Sequence, residues 1–103
     1  MNEDVGMSRR IYPVNLVING RILVRVIIDP HYEKRHKDSI DDQLILRLID
    51  LLDGWSFEPA THTPPYRYFV VDGLRVNRRT YKIVWLLEDD EDYVGVINAY
   101  RRD

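Results

Sequence analysis

From Ile11 to Ile28 the chain is apolar apart from Asn15, Asn19, Gly20, Arg21 and Arg25, and Asn19-Gly20 divides it into two strand-length runs. Asn-Gly between two such runs predicts a β-hairpin. Two turn geometries fit. A two-residue turn sets Ile18 opposite Arg21 and leaves both faces largely apolar. A three-residue turn over Ile18-Asn19-Gly20, with Gly20 in a left-handed bulge position, pairs Val17 with Arg21. Tyr12, Val14 and Leu16 then share a face with Ile22, Val24 and Val26, and Asn15, Arg21 and Arg25 share the other. The second register is the amphipathic one and is expected here, because a one-residue slip turns over every side chain of a strand. Asp29-Pro30 ends the second strand, since proline has no N–H for a ladder.

After Ser39 the period becomes helical. Leu44, Ile45, Leu48, Ile49 and Leu52 form one apolar stripe, with Gln43, Arg47 and Asp50 opposite. Ser39-Ile40-Asp41-Asp42 matches a helix start, a capping serine with carboxylates at the positive end of the helix dipole. Asp53-Gly54 ends the helix. Trp55 and Phe57 read as a short strand, and Glu58 to Pro65 as a loop containing His62. Tyr66 to Asp72 alternates, and Asp72-Gly73 signals a turn. Arg79 to Leu87 is the strongest strand, with Tyr81, Ile83, Trp85 and Leu87 on one face. An acidic turn follows, and Tyr93 to Tyr100 closes the sheet. The expected fold class is α+β: an antiparallel sheet of about five or six strands, an N-terminal hairpin and one main helix packed across. Residues 1–10 read as a flexible leader and 11–103 as a single domain.

Composition narrows the function classes. A chain of 103 residues that is 45% hydrophobic sustains one core. Without cysteine it has no disulfide framework, thiolate zinc site or cysteine nucleophile. No apolar run approaches the roughly 20 residues of a membrane span. Met1-Asn2-Glu3-Asp4 lacks the apolar region of a signal peptide, so a cytoplasmic protein is expected. The net charge of -2 hides a segregation, because Glu88-Asp89-Asp90-Glu91-Asp92 holds five of the 17 acidic residues. The remainder is net positive. Its cations gather at Lys34, Arg35 and Lys37, at Arg75, Arg78, Arg79 and Lys82, and at Arg101-Arg102. Such clusters bind phosphate through a local field, or are solvated surface.

His31 and His36 are about 140° apart on a helix and do not share a face, so a metal site is not expected. There is no phosphate-binding glycine loop and no nucleophile elbow. RNA cleavage requires less. The 2′-hydroxyl is already the nucleophile, a histidine near neutrality moves its proton, and a cation stabilises the phosphorane. No cofactor is needed. Plainer readings stand beside this one. His31 fits a strand exit, His36 a surface position before a helix, Asn98 a buried edge, and Tyr81 and Trp85 core packing.

Lys34-Arg35-His36, followed by Ser39-Ile40-Asp41-Asp42, resembles the basic-histidine segment and helix start of BrnT-type toxins. Tyr81-Lys82-Ile83-Val84-Trp85, the acidic turn and Val96-Ile97-Asn98-Ala99-Tyr100-Arg101-Arg102 resemble their terminal hairpin. The resemblance covers roughly residues 31–102. These toxins belong with the RelE/ParE-like and colicin-like ribonucleases, whose core is a helix or helices on a curled antiparallel sheet. The resemblance implies a metal-independent endoribonuclease. His36 would be general base or acid with His31 as counterpart, and Tyr100 an acid or stacking residue. Lys34, Arg35, Arg79, Asn98 and Arg101 would hold phosphates of the RNA. It also implies a cognate antitoxin protein, and a second copy of the chain is a further candidate partner. Two features depart from the family. The N-terminal hairpin stands where a short first strand is expected, and the chain is acidic where such toxins are basic. They keep two alternatives open: a non-catalytic interaction module docking through the acidic turn, and a nucleic-acid binder without catalysis.

Overall fold

Asn19 and Gly20 both take left-handed backbone, φ 54° and 70°, and form the two-residue hairpin turn whose twist suits the flanking strands. It joins β1 (Arg10–Ile18) to β2 (Arg21–Ile28), with Ile18 opposite Arg21 and Leu16 opposite Leu23. The three-residue turn expected from amphipathicity is not formed. Instead β1 bulges between Pro13 and Leu16, and beyond the bulge Tyr12 lies opposite Val26, the pairing that the longer turn would have given. The bulge thus does the work of the longer turn, one step further along the strand. Leu23 and Val26 both reach the core, whereas Ile22 and Val24 are 66% and 41% exposed. The turn is tied to the rest of the fold by its asparagine. Asn19 Nδ2 donates to the carbonyl of Phe57, and the Phe57 N–H donates back to Asn19 Oδ1.

The computed structural model describes residues 8–103. The leader expected over residues 1–10 lies outside the described residues as far as position 7, and Arg10 already belongs to β1. The remaining strands are β3 (Thr61–Thr63), β4 (Tyr66–Val76), β5 (Arg79–Glu88) and β6 (Tyr93–Arg101). Their order is β1-β2-β6-β5-β4-β3. The sheet is not wholly antiparallel, as expected above, but mixed. β2 and β6 run parallel, from Arg25 beside Tyr93 to Ile28 beside Val96. A parallel pair needs a long crossover, and the chain from Pro30 to Asp92 supplies it. The β4–β5 turn sits at Asn77-Arg78, both left-handed, and Asp72-Gly73 is instead a bulge inside β4. Trp55 and Phe57 form no strand. Trp55 is exposed, and Phe57 meets Trp85 edge-on at 5.6 Å.

The helices are short: a 3-10 turn (Pro30–Tyr32), α1 (Glu33–His36) and α2 (Asp42–Asp50). The cap of α2 is Asp41, whose carboxylate accepts from the Leu44 N–H at 2.8 Å, not Ser39. The predicted stripe faces inward, with Ile45, Leu48, Ile49 and Leu52 buried against Trp85, Phe69 and Ile83 in one core. No helix is long and apolar enough to cross a membrane among the described residues.

Asp42 joins three separate parts of the chain. Its carboxylate accepts from Arg10 at 2.8 Å, from the Tyr32 hydroxyl at 2.7 Å and from the Tyr12 hydroxyl. Arg10 also reaches Glu33 at 3.5 Å. Burial alone would raise the Asp42 carboxyl, but the hydrogen bonds from Arg10, Tyr12 and Tyr32 outweigh it and hold the group below its ordinary value. A carboxyl depressed by folding stabilises fully above its unfolded value, and that contribution is lost as pH falls through the folded one. Replacing Asp42 by asparagine should cost about 2 kcal/mol at neutral pH. The gap between Asp42→Asn and parent should close in acid. Urea titrations from neutral to acid pH check this, and parallel stability curves for the two proteins would count against it.

Candidate functional site

β2 stops at Ile28, beside Val96, while β6 continues to Arg101. The far end of β6 therefore has an edge without a strand on the β2 side. The 3-10 turn and α1 fill the space beside it, entered through an Asp29 N–H donating to the Val96 carbonyl at 3.0 Å. Tyr32 turns inward to Asp42, and His36 turns outward onto the sheet face that α2 does not cover.

A bulge on β6 decides what His36 meets. Val94 and Val96 face the core, so simple alternation would send Asn98 and Tyr100 there too. Trp85 pairs with Val96 but Val84 pairs with Asn98, leaving Ile97 as an extra residue. The phase flips. Ala99 enters the core, and Asn98 and Tyr100 face outward. His31, Lys34, Arg35, His36, Asn98 and Tyr100 then line one groove of about 550 Å³. The His36 ring stacks on Tyr100, with centroids 5.3 Å apart and planes at 30°. Lys82, opposite Tyr100 on β5, holds its ammonium 5.6 Å from the same ring.

The protonation pattern at His31 follows from its neighbour. Asp29 Oδ1 lies 2.9 Å from the His31 backbone nitrogen and 2.9 Å from ring Nδ1. An ionised carboxylate only accepts, so Nδ1 carries a proton in this contact. Burial works to raise the Asp29 carboxyl, but the hydrogen bonds from His31 outweigh it and keep it ionised below its ordinary value. Asn98 Oδ1 accepts from the Ala99 N–H at 2.9 Å, which leaves its amide N–H groups for other partners. Lys34 and Arg35 are exposed and in no ion pair among the described residues.

Arg79 and Arg101 are not brought to the groove. Arg79 opens β5 opposite Val76, and Arg101 pairs with Tyr81, a core-facing residue, so it leaves the strand on the other face from Tyr100. Two contributors stand outside the site residues expected from sequence, although Lys82 is among the clustered cations. Lys82 is legible once Tyr81, Ile83 and Trp85 are assigned to the core, because alternation sends it outward. Asp29 has a weaker signal, its position two residues before a histidine at a strand exit. The described residues contain no group of three or more side chains suited to a metal ion.

The acidic turn lies at the opposite end of β6, about 23 Å from Tyr100 at the strand rise, beyond a Debye length of about 8 Å in physiological salt. Much of its charge is already engaged. Asp92 pairs with Arg25 at 2.6 Å, Asp89 lies 3.3 Å from Arg67 and 4.0 Å from His62, and Glu88 accepts from the Tyr93 hydroxyl. The turn therefore adds little to the field at the groove, whose near charges are Lys34, Arg35, Lys82 and Asp29.

No protein-family model, curated protein or solved structure matches this chain. The groove has to be read from its own chemistry. Its stacking geometry is directly measurable. The ring protons of His36 should be shifted upfield by the Tyr100 ring, and Tyr100→Leu should move them back downfield without unfolding the protein. Proton–nitrogen NMR of the imidazoles checks this, and unmoved His36 resonances would break the assigned contact.

Proposed function

We propose that the protein is a metal-independent endoribonuclease of the toxin type, acting in this groove. The observation that carries the reading is the convergence of two histidines, two cations in no ion pair among the described residues, an amide and an aromatic platform on one open surface. The resemblance to BrnT-type toxins points the same way and adds a cognate antitoxin protein as a proposed partner.

The roles follow from the contacts of the two histidines. His31, with Nδ1–H held by Asp29, takes the 2′-hydroxyl proton on Nε2. The 2′-oxygen attacks the neighbouring phosphorus, and the 5′-oxygen leaves with a proton from His36. Lys34, Arg35 and the Asn98 amide neutralise or bind the phosphorane oxygens. Tyr100 holds the His36 ring plane, with Lys82 on the same tyrosine. The products are a 2′,3′-cyclic phosphate and a 5′-hydroxyl. Arg79 and Arg101 lie outside the groove and are phosphate contacts only for RNA running past it.

The interaction-module reading is less favoured, because the carboxylates of Glu88, Asp89 and Asp92 already have partners within the chain. Binding without catalysis is distinguished by experiment. The protein should cleave RNA with EDTA present and leave cyclic phosphate ends. His36→Ala and His31→Ala should each lose about 10²-fold or more in rate. Affinity for RNA should fall with salt at a log–log slope of about -0.7 per phosphate contacted, and Arg35→Glu should flatten it. Salt-dependent binding with no cleavage would leave a binder. No binding at low salt would end the RNA reading.

A further inference from the structure

A second cavity lies on the same outer face, beside a glycine in a central strand. Tyr68 on β4, Leu86 on β5, Gly95 on β6 and Ile27 on β2 are successive cross-strand partners, so they form one row across four strands. Three of the four are large, and the residue in the central strand has no side chain. A Cβ added at Gly95 would lie 3.0 Å from Leu86 Cδ1 and 3.6 Å from Tyr93 Cε2. Leu86 therefore leans over the buried glycine, and a notch of about 300 Å³ opens beside them, walled by Tyr66, Tyr68 and Tyr93, with Arg9 and Asp29 also in its lining. Glycine inside a central strand weakens it, and it often marks the close approach of a ligand.

The notch and the groove adjoin. Asp29 and Ile97 line the notch, while their near neighbours in sequence, His31 and Asn98, line the groove. From Gly95 to Asn98 is about 10 Å at the strand rise, a span that neighbouring nucleotides of one strand bridge. The groove carries Lys34 and Arg35, which suit phosphate. The notch carries three tyrosines, which suit the face of a base, and Arg9 and Asp29, which suit its polar edge. Tyr66 and Tyr68, with ring centroids 6.2 Å apart, present the aromatic wall.

We infer that the notch over Gly95 is a base-binding subsite that stacks one nucleobase of a single-stranded RNA whose phosphate lies in the His31–His36 groove. This rests on the ribonuclease reading only for the identity of the strand. Stacking is sequence-tolerant, so the subsite sets the position of the strand rather than reading its sequence.

The test uses a short single-stranded RNA with every 2′-oxygen methylated, which binds but has no nucleophile. Tyr68→Leu keeps an apolar side chain and removes the ring, and Tyr68→Phe keeps the ring. Tyr68→Leu should weaken binding about tenfold or more, Tyr68→Phe should match the parent, and both should melt near the parent temperature. Oligonucleotides with an abasic site at each position in turn identify the stacked base. At that position the difference between Tyr68→Leu and parent should vanish, because the partner is already gone. If Tyr68→Leu binds like the parent while Arg35→Glu is weakened, the groove holds RNA and the base subsite is wrong. A weakening by Tyr68→Leu that persists with every abasic oligonucleotide also overturns it. If the parent binds no RNA, both readings fall together.

Discussion

The position of the candidate groove depends on the Asp42 carboxylate. The crossover that carries His31, Lys34, Arg35 and His36 consists of a 3-10 turn and a single helical turn, too short to be stable alone. Its buried side chains are few: Pro30, Tyr32 and Ile40. What fixes its orientation is the Tyr32 hydroxyl on Asp42, with Arg10 and Tyr12 of β1 on the same carboxylate. A partly buried charge of this kind contributes little net stability if its desolvation is counted. Its value is positional, since one geometry satisfies every donor and a shifted helix satisfies none. Tyr32 inward and His36 outward are two ends of the same constraint.

Strand phase supplies the other half of the site. The sheet contains bulges in the β1–β2, β4–β5 and β5–β6 pairings. The bulge at Ile97 matters most, because it alone moves Asn98 and Tyr100 from the core face to the groove. A regular β6 would bury an amide and a phenol beside Ile83 and expose Ala99. The early stop of β2 at Pro30 then opens the edge that α1 occupies. Groove formation thus needs a proline, a bulge and a parallel pairing in register, none of which touches the proposed chemistry.

Much of this was legible from local pattern. The α2 stripe, the buried face of β5 and the nearness of the basic-histidine segment to Asn98 and Tyr100 all followed from periodicity and resemblance. The misses have a common physical origin. Asn19-Gly20 and Asp72-Gly73 both announce left-handed backbone, yet one is a turn and the other a bulge. Local sequence states the dihedral that is needed, and only the partner strand determines its use. The parallel β2–β6 pairing is likewise invisible locally, because its partners lie far apart in the chain. Asp42 read as a helix-dipole residue, which it is, but its partners Arg10 and Tyr12 come from a distant strand. The toxin resemblance assigns Arg101 to the site and cation clustering suggests Arg79, and strand alternation separates them from it.

The two faces of the sheet obey different rules, and the difference carries functional weight. On the covered face Trp85, Phe69, Ile83, Leu87 and Val94 alternate regularly and pack against α2. On the open face local rules are broken: a glycine interrupts the central strand, a bulge reverses its phase, and tyrosines and branched residues stand in partial exposure. The open edge of β1 is protected separately. There Val17 has its N–H on the Asp53 carboxylate and its carbonyl on the Gly54 N–H. That blocks strand addition at the edge while leaving the face free. Breaches of local consistency in a folded protein concentrate where function demands them. Here they gather along β6, between the notch over Gly95 and the groove at Tyr100. A ligand lying along that strand would meet the tyrosines of the notch first, and then the His36–Tyr100 stack with Lys34 and Arg35 beside it.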